Sequence, residues 1–488
     1  MTRKFIIYAA VAGLILTAAG CDGNENEPAS GAPDISLDNI IVESNSVSFD
    51  ITSGNSIYSA YLVSRADELP ENMPVENILF NGKEVGPDKQ RVTVSGLDWD
   101  QTYTIQVAAM SYSGEYASTQ ESFFVKLDWK DLGNPANTYI VTSGGFYGFV
   151  PEKVDGTPIK IASADWVWAT SDEAFSKKQN IISDVNYSSG AIKFRTTGEE
   201  GNAVICGFDA GGNVVWTWLI WCTDQPKDVR ITEKSYFLDR VIGATGATQA
   251  EGRKAWSTIL YQFGRISPFF GGYEDEWGEA EVFAEARKYT VFNSAYDFAW
   301  TLDKGQAPSR EDADSHPTTF YTGVDNKKDG VWYSGTWSWD FLGSWYGTVR
   351  MWDDYDRYKT NVDPCPDGYR VPAGPDWGTT ADFESRLEKV GTTDDPIGWN
   401  YTFNGEKSWF PCGNSGRICY SGELARGFGG ITFFWNSTMF NLGDADFGKA
   451  ADAYPTRWSF GFEGIGYGVE TPANPGFGLA VRCVRIDE

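Results

Sequence analysis

The run Val214-Val-Trp-Thr-Trp-Leu-Ile-Trp-Cys222 constrains the fold more than any other stretch of this chain. At two-residue spacing Trp216, Trp218, Ile220 and Cys222 share one face, and Thr217, Leu219 and Trp221 the other. Both faces are apolar enough to need cover, which predicts a strand in the middle of its domain. The run is reached from Asn202-Ala-Val-Ile-Cys-Gly-Phe208 through Asp209-Ala-Gly-Gly-Asn213, strong hairpin chemistry. Trp166 and Trp168 repeat the pattern, and at strand spacing these indoles are expected in the core rather than on a sugar platform.

The rest of the composition agrees with strands and turns. The 488 residues include 20 Trp, 24 Tyr, 30 Phe and 53 Gly, with few helical periodicities, and the length suggests about three domains. A single histidine, His316, excludes His-rich zinc sites and relays of several imidazoles, and it reads as a loop residue. The formal charge of −27, a pI near 4.4 and the lack of a basic cluster exclude a nucleic-acid partner, since that affinity comes largely from neutralising phosphates. No glycine-rich phosphate loop or dinucleotide fingerprint follows a strand, so no cofactor is expected.

Residues 1–20 read as a secretion signal: Arg3 and Lys4, an apolar stretch from Phe5 to Leu16, then Ala18-Ala-Gly20 before Cys21. The stretch is shorter than the roughly 20 apolar residues that span a bilayer. The ending resembles a bacterial lipobox, which implies cleavage before Cys21 and a diacylated, palmitate-type anchor on its thiol. The exported chain would carry 38 bases against 67 acids, a formal −29. Residues 21–34 form an acidic tether, beginning Asp22-Gly-Asn-Glu-Asn-Glu-Pro28. The tether resembles the export signal of Bacteroidetes lipoproteins displayed outside the outer membrane, with the lipid as the only membrane contact.

Residues 35–127 alternate in short runs such as Ser46–Ile51, Ser59–Val63 and Arg91–Val94, as in a β-sandwich. The stretch Gly96-Leu-Asp-Trp-Asp-Gln-Thr-Tyr-Thr-Ile-Gln-Val-Ala-Ala109 resembles the fibronectin type III tyrosine corner. That resemblance implies that the Tyr103 hydroxyl bonds to backbone and that Ile105 and Val107 point inward. Residues 128–225 read as a β-hairpin-rich domain. Residues 226–488 read as a loop-rich α+β domain in which Thr380–Val390, with Phe383, Leu387 and Val390 spaced for one face and Gly391 as a stop, is the best helix candidate. The fold class expected is mainly β and multidomain.

Four stretches of the last region, Phe237-Leu-Asp-Arg-Val-Ile-Gly-Ala244, Tyr261-Gln-Phe-Gly-Arg-Ile-Ser-Pro-Phe269, Asp363-Pro-Cys-Pro-Asp-Gly-Tyr-Arg-Val-Pro372 and Gly478-Leu-Ala-Val-Arg-Cys-Val-Arg485, carry a resemblance. Together they resemble the Fibrobacter succinogenes major paralogous domain of Bacteroidetes surface lipoproteins. The resemblance implies a C-type-lectin-like architecture with a disulfide from the Cys-Pro segment to the last strand, and no known reaction. The calcium-lectin triplets of the broader fold do not occur here, so no metal is expected.

With Cys21 lipidated, six cysteines remain, an even number suited to disulfides in an exported protein. The expected pairs are Cys365 with Cys483 and Cys412 with Cys419. No Cys-x-x-Cys spacing supports zinc. A turn centred near Gly211-Gly212 sets Cys206 opposite Thr217, about five residues from Cys222, and at roughly 3.3 Å per residue that gap is too long to bridge. Both thiols are expected to be reduced and buried.

The densest unusual segment, Val331 to Tyr358, holds Trp332, Trp337, Trp345 and Trp352 beside Asp353 and Asp354. Aromatic faces with neighbouring carboxylates suit glycans, because C–H groups stack on rings while hydroxyls need fixed polar partners. These six residues are the expected ligand-binding set, and no catalytic residue is expected. The acidic clusters at 274–276, 311–314 and 353–356 read as solvated loops, with a carboxylate-pair glycoside hydrolase as the alternative. The sequence therefore points to a non-catalytic surface lipoprotein that binds a glycan or protein ligand, as an adhesin or an accessory of polysaccharide uptake. A structural envelope or fimbria-associated subunit is a further alternative.

Overall fold

The computed structural model describes residues 31–43, 45–68, 73–86, 88–126, 128–257, 259–272, 283–305, 308–321, 359–392, 396–412, 417–420, 423–426, 431–441, 453–461, 471–472 and 476–486, with 284–285, 396, 417–420, 423–426, 431, 438–441, 453–461 and 471–472 as backbone alone. The chain is mainly β and divides into two compact units, residues 1–127 and 128–488.

The first unit is a sandwich. Strands β1 (Asp34–Glu43), β2 (Ser46–Gly54), β3 (Tyr58–Arg65), β4 (Lys83–Val85), β5 (Gln90–Ser95), β6 (Gln101–Met110) and β7 (Tyr116–Val125) form two sheets, ordered β1-β2-β5 and β4-β3-β6-β7. Alternation decides the interior: Val47, Phe49 and Ile51 of β2 face Tyr61 of β3, Ile105 and Val107 of β6 and Val125 of β7. The Asp98 N–H donates to the Tyr103 hydroxyl at 2.8 Å, the corner that the sequence implied. Alanines at 60 and 108 leave room on the outer face of the larger sheet for a short helix, α1 (Val75–Asn81). Its Ile78 and Leu79 pack there, an element the sequence reading did not find.

The second unit begins with strands β8 (Lys130–Asp131), β9 (Thr138–Val141), β10 (Gly145–Phe149), β11 (Ser163–Thr170), β12 (Ile182–Ser188), β13 (Ala191–Thr196), β14 (Gly201–Phe208) and β15 (Val214–Cys222). The smaller sheet is ordered β12-β13-β10-β8, and the larger runs from Thr290–Phe292 through β11, β14 and β15 to β9. The doubly apolar run is central as expected, flanked by β14 and β9. Phe149 of the smaller sheet lies 4.4 Å from Tyr139 and 5.3 Å from Trp218 of the larger, centroid to centroid. Trp168, Trp218 and Trp221 are wholly buried, so the strand-spaced indoles are core. Burial of each such side chain is worth about 1.5–3 kcal/mol or more.

Residues 128–225 and 226–488, read from the sequence as separate domains, form one compact unit. The physical reason is the second apolar face of β14 and β15. Leu238, Ile242, Phe269, Trp300 and Phe320 complete the same cluster, and Thr290–Phe292 extends the sheet beside β11. The Cys-Pro segment docks on β9: the Asn137 amide donates to the carbonyls of Asn361 and Asp363 at 2.9 and 2.8 Å, and the Thr138 hydroxyl to that of Pro364 at 2.6 Å.

A second core gathers Phe237, Trp377, Phe383, Trp399, Tyr401, Phe410 and Phe434. Here one expectation is corrected. The helix predicted over Thr380–Val390 stops at Glu384, and Leu387–Gly391 is a strand paired with Pro396–Phe403. Thr379 caps the short helix and Phe383 anchors it, stacked 4.6 Å from Tyr401. Edge pairing then satisfies the backbone that continued helix would have used.

Candidate functional site

Four arginines of the family-like stretches, Arg240, Arg265, Arg370 and Arg482, are interior, and Arg485 is partly exposed. Arg265 donates to the Gln262 side chain and to the carbonyls of Thr319, Ala313 and His316, between the rings of Phe269 and Tyr321. Arg482 donates to the carbonyls of Leu238, Trp409 and Asp239 and lies 4.0 Å over the Phe410 ring. Arg370 pairs with Asp376. These groups fasten loops, and burial leaves them out of reach of a ligand.

Cys365 and Cys483 form the expected disulfide, with Cα atoms 5.9 Å apart. Cys206 stands opposite Thr217 and Cys222 opposite Gly201, so both remain buried thiols. Cys412 is buried, while the side chain of its expected partner Cys419 lies outside the described residues. Cys21 and the expected ligand set of Trp332, Trp337, Trp345, Trp352, Asp353 and Asp354 also lie outside them. His316 is an exposed loop residue whose Nδ1 lies 2.7 Å from the Asp312 carbonyl oxygen.

A cleft of about 340 Å³ opens where β14 begins. Its walls come from three loops: Asp172 after β11, Gly198-Glu-Glu200 before β14, and the stretch from Gly243 through Thr245, Glu251 and Lys254 to Ser257. Two glycines shape the floor. A Cβ on Gly201 would lie 2.7 Å from Ile181 Cδ1, and one on Gly243, at φ +87°, would lie 2.3 Å from Ile259 Cγ1. Asn202, 4% exposed, donates its amide to the Gly243 carbonyl at 2.8 Å, while its Oδ1 has no hydrogen-bond partner.

Four carboxylates against one ammonium leave the lining at a formal −3. Lys254 is held 2.9 Å from the Asp172 carboxylate. Burial opposes ionisation of Glu251, but donors from Thr248 and Ala247 outweigh it and hold this carboxyl below its usual range. Glu200 is raised, first by burial and then by the like charges of Asp224, Glu251 and Asp172, with Arg240 opposing. Arg240 is itself engaged by Asp224 at 2.6 Å and by the Thr245 carbonyl at 2.9 Å. The cleft thus presents acceptors and negative potential. Among the described residues no group of three His, Cys, Asp or Glu is placed to hold a metal ion.

The sequence reading missed this cleft. Its signal is Glu199-Glu-Gly-Asn202: an amide opening an otherwise apolar strand, directly after two acids. The partners from 243–257 are distant in sequence from Asn202.

No protein-family profile matches the chain, and no curated protein matches it. Among solved structures, cadmium-bound SporoSAG is 6% identical, over 35% of this chain and 74% of that one, with a TM-score of 0.16. The Bacteroides ovatus surface protein SGBP-B of a mixed-linkage glucan utilization locus, in complex with a mixed-linkage heptasaccharide, is 14% identical. That match covers 44% of this chain and 53% of that one, with a TM-score of 0.13. The FN1–FN3 domains of chicken CNTN1 are 12% identical over 48% and 80%, with a TM-score of 0.15. Overlaps of this quality carry no argument about fold or function.

Proposed function

We propose that the chain is a non-catalytic surface lipoprotein, anchored through Cys21 to the bacterial outer membrane and facing outward, that binds a glycan. The observation that carries the reading is the cleft at β14: a polar concavity of about 340 Å³ whose lining is acidic and includes Asn202, with an Oδ1 that has no hydrogen-bond partner. The sequence pattern of Trp332, Trp337, Trp345 and Trp352 beside Asp353 and Asp354 supports an aromatic contribution to binding from that segment. The signal segment and acidic tether supply the address.

A glycan array probed with the soluble chain from residue 29 onward, followed by product analysis of each hit, tests this. Retention without turnover is expected. A blank array, or turnover abolished by removing one carboxylate pair, overturns the reading.

A further inference from the structure

We propose that the cleft between the start of β14 and the loop 243–257 receives the protonated amine of an unacetylated amino-sugar residue. This rests on the glycan-binding reading above and narrows it to one class of sugar.

Charge is the first argument. Asp172, Glu199, Glu200 and Glu251 line a concavity whose one lining base, Lys254, is held by Asp172. A neutral sugar would leave the negative charge around this open cleft uncompensated, whereas an ammonium compensates it and donates three hydrogen bonds.

The second argument is independent of charge. Asn202 is 4% exposed, its Nδ2 donates one hydrogen bond to the Gly243 carbonyl, and its Oδ1 has no partner. A buried acceptor left unsatisfied is unfavourable, and native proteins keep few of them. A donor arriving from the cleft satisfies it, and the flanking hydroxyls of a sugar ring extend the same donor set toward Thr245 and Glu200.

The third argument is size and surroundings. A volume of about 340 Å³ is near the small end of ligand sites. Three residues beyond Asp172, Phe175 is 74% exposed and held at φ +57°, a conformation that bulky residues adopt only where the surrounding structure enforces it. An aromatic face presented to solvent there offers a stacking surface to the next sugar along the chain. A metal ion fits less well, because no three acidic side chains among the described residues converge as ligands.

The test is calorimetric titration of the full exported chain with three probes: a glucosamine hexamer, its N-acetylated counterpart, and hexalysine. The glucosamine hexamer is expected to bind at least about tenfold more tightly than the other two, as expected when a charge-assisted contact is lost. Glu200→Gln, at an exposed position, is expected to weaken that binding about tenfold with an unchanged Tm, while Glu388→Gln, outside the cleft, leaves it unchanged.

Equal binding of the two hexamers would overturn the amine assignment while leaving glycan binding intact. Equal binding of hexalysine would show a site for ammonium without sugar and would overturn it as well. Equal weakening by Glu388→Gln would reduce the effect to the overall charge of the chain. If the array retains other glycans and neither hexamer binds, this inference fails alone; if nothing is retained at all, the parent reading fails with it.

Discussion

Arg370 and Asp376 form a buried two-contact pair, Nη1 to Oδ2 at 2.8 Å and Nη2 to Oδ1 at 3.2 Å, just beyond the cysteine that closes the disulfide. Asp376 also accepts from the Ala373 N–H at 2.7 Å, so one carboxylate fixes both the guanidinium and the turn that leads to Trp377. Asp376→Ala leaves a buried cation without its partner, and a loss of about 3–5 kcal/mol is expected. Urea unfolding followed by Trp fluorescence measures it; a loss below about 1 kcal/mol would mean that the pair is effectively solvated.

The Cys365–Cys483 bridge closes a loop of sequence separation 118. Chain entropy assigns such a loop about 5 kcal/mol of stabilisation. The double variant Cys365→Ser/Cys483→Ser is therefore expected to unfold at markedly lower denaturant, with the transition of the first unit unmoved.

Cys206 and Cys222 are expected to stay silent toward a thiol reagent until the chain unfolds. Burial pushes the Cys222 thiol up to about 12 and that of Cys206 up as well, so neither supplies thiolate near neutral pH. Cys206→Ser/Cys222→Ser should remove two equivalents from the denatured titration and none from the native one.

Hydrogen bonds from Asn39, Lys89 and Arg91 hold the Asp50 carboxyl down at about 2. The unfolded carboxyl titrates at about 4, so the folded state resists protonation more strongly than the unfolded one. The stability this group contributes is fully present above about pH 4 and is lost as pH falls toward about 2. Amide protection in β2, taken relative to the intrinsic exchange rate at each pH, is expected to fall across that window, and Asp50→Asn should flatten the response.

Tyr103→Phe removes the acceptor for the Asp98 N–H while keeping the ring that lies 5.9 Å from Phe123. A loss of about 0.5–1.5 kcal/mol is expected from the first unit, read by thermal unfolding.

Local chemistry makes several features legible in the sequence. The Asp209–Asn213 turn and the period-two apolar run determined the hairpin, its register at Cys206 and its central place. The alternation in β2 and β6 and the Leu97-to-Tyr103 corner determined the sandwich. These are contacts between near neighbours in sequence, where side-chain period and turn type leave few solutions. Tertiary structure decided the rest. Thr380–Val390 has helical spacing, yet its last four residues are strand because a partner edge was available. Residues after 226 complete the core of residues before it, since an apolar face specifies that it will be covered but not by what. The cleft exists only where Asn202 meets Gly243 and Glu251, groups 41 and more residues apart whose proximity no local pattern encodes.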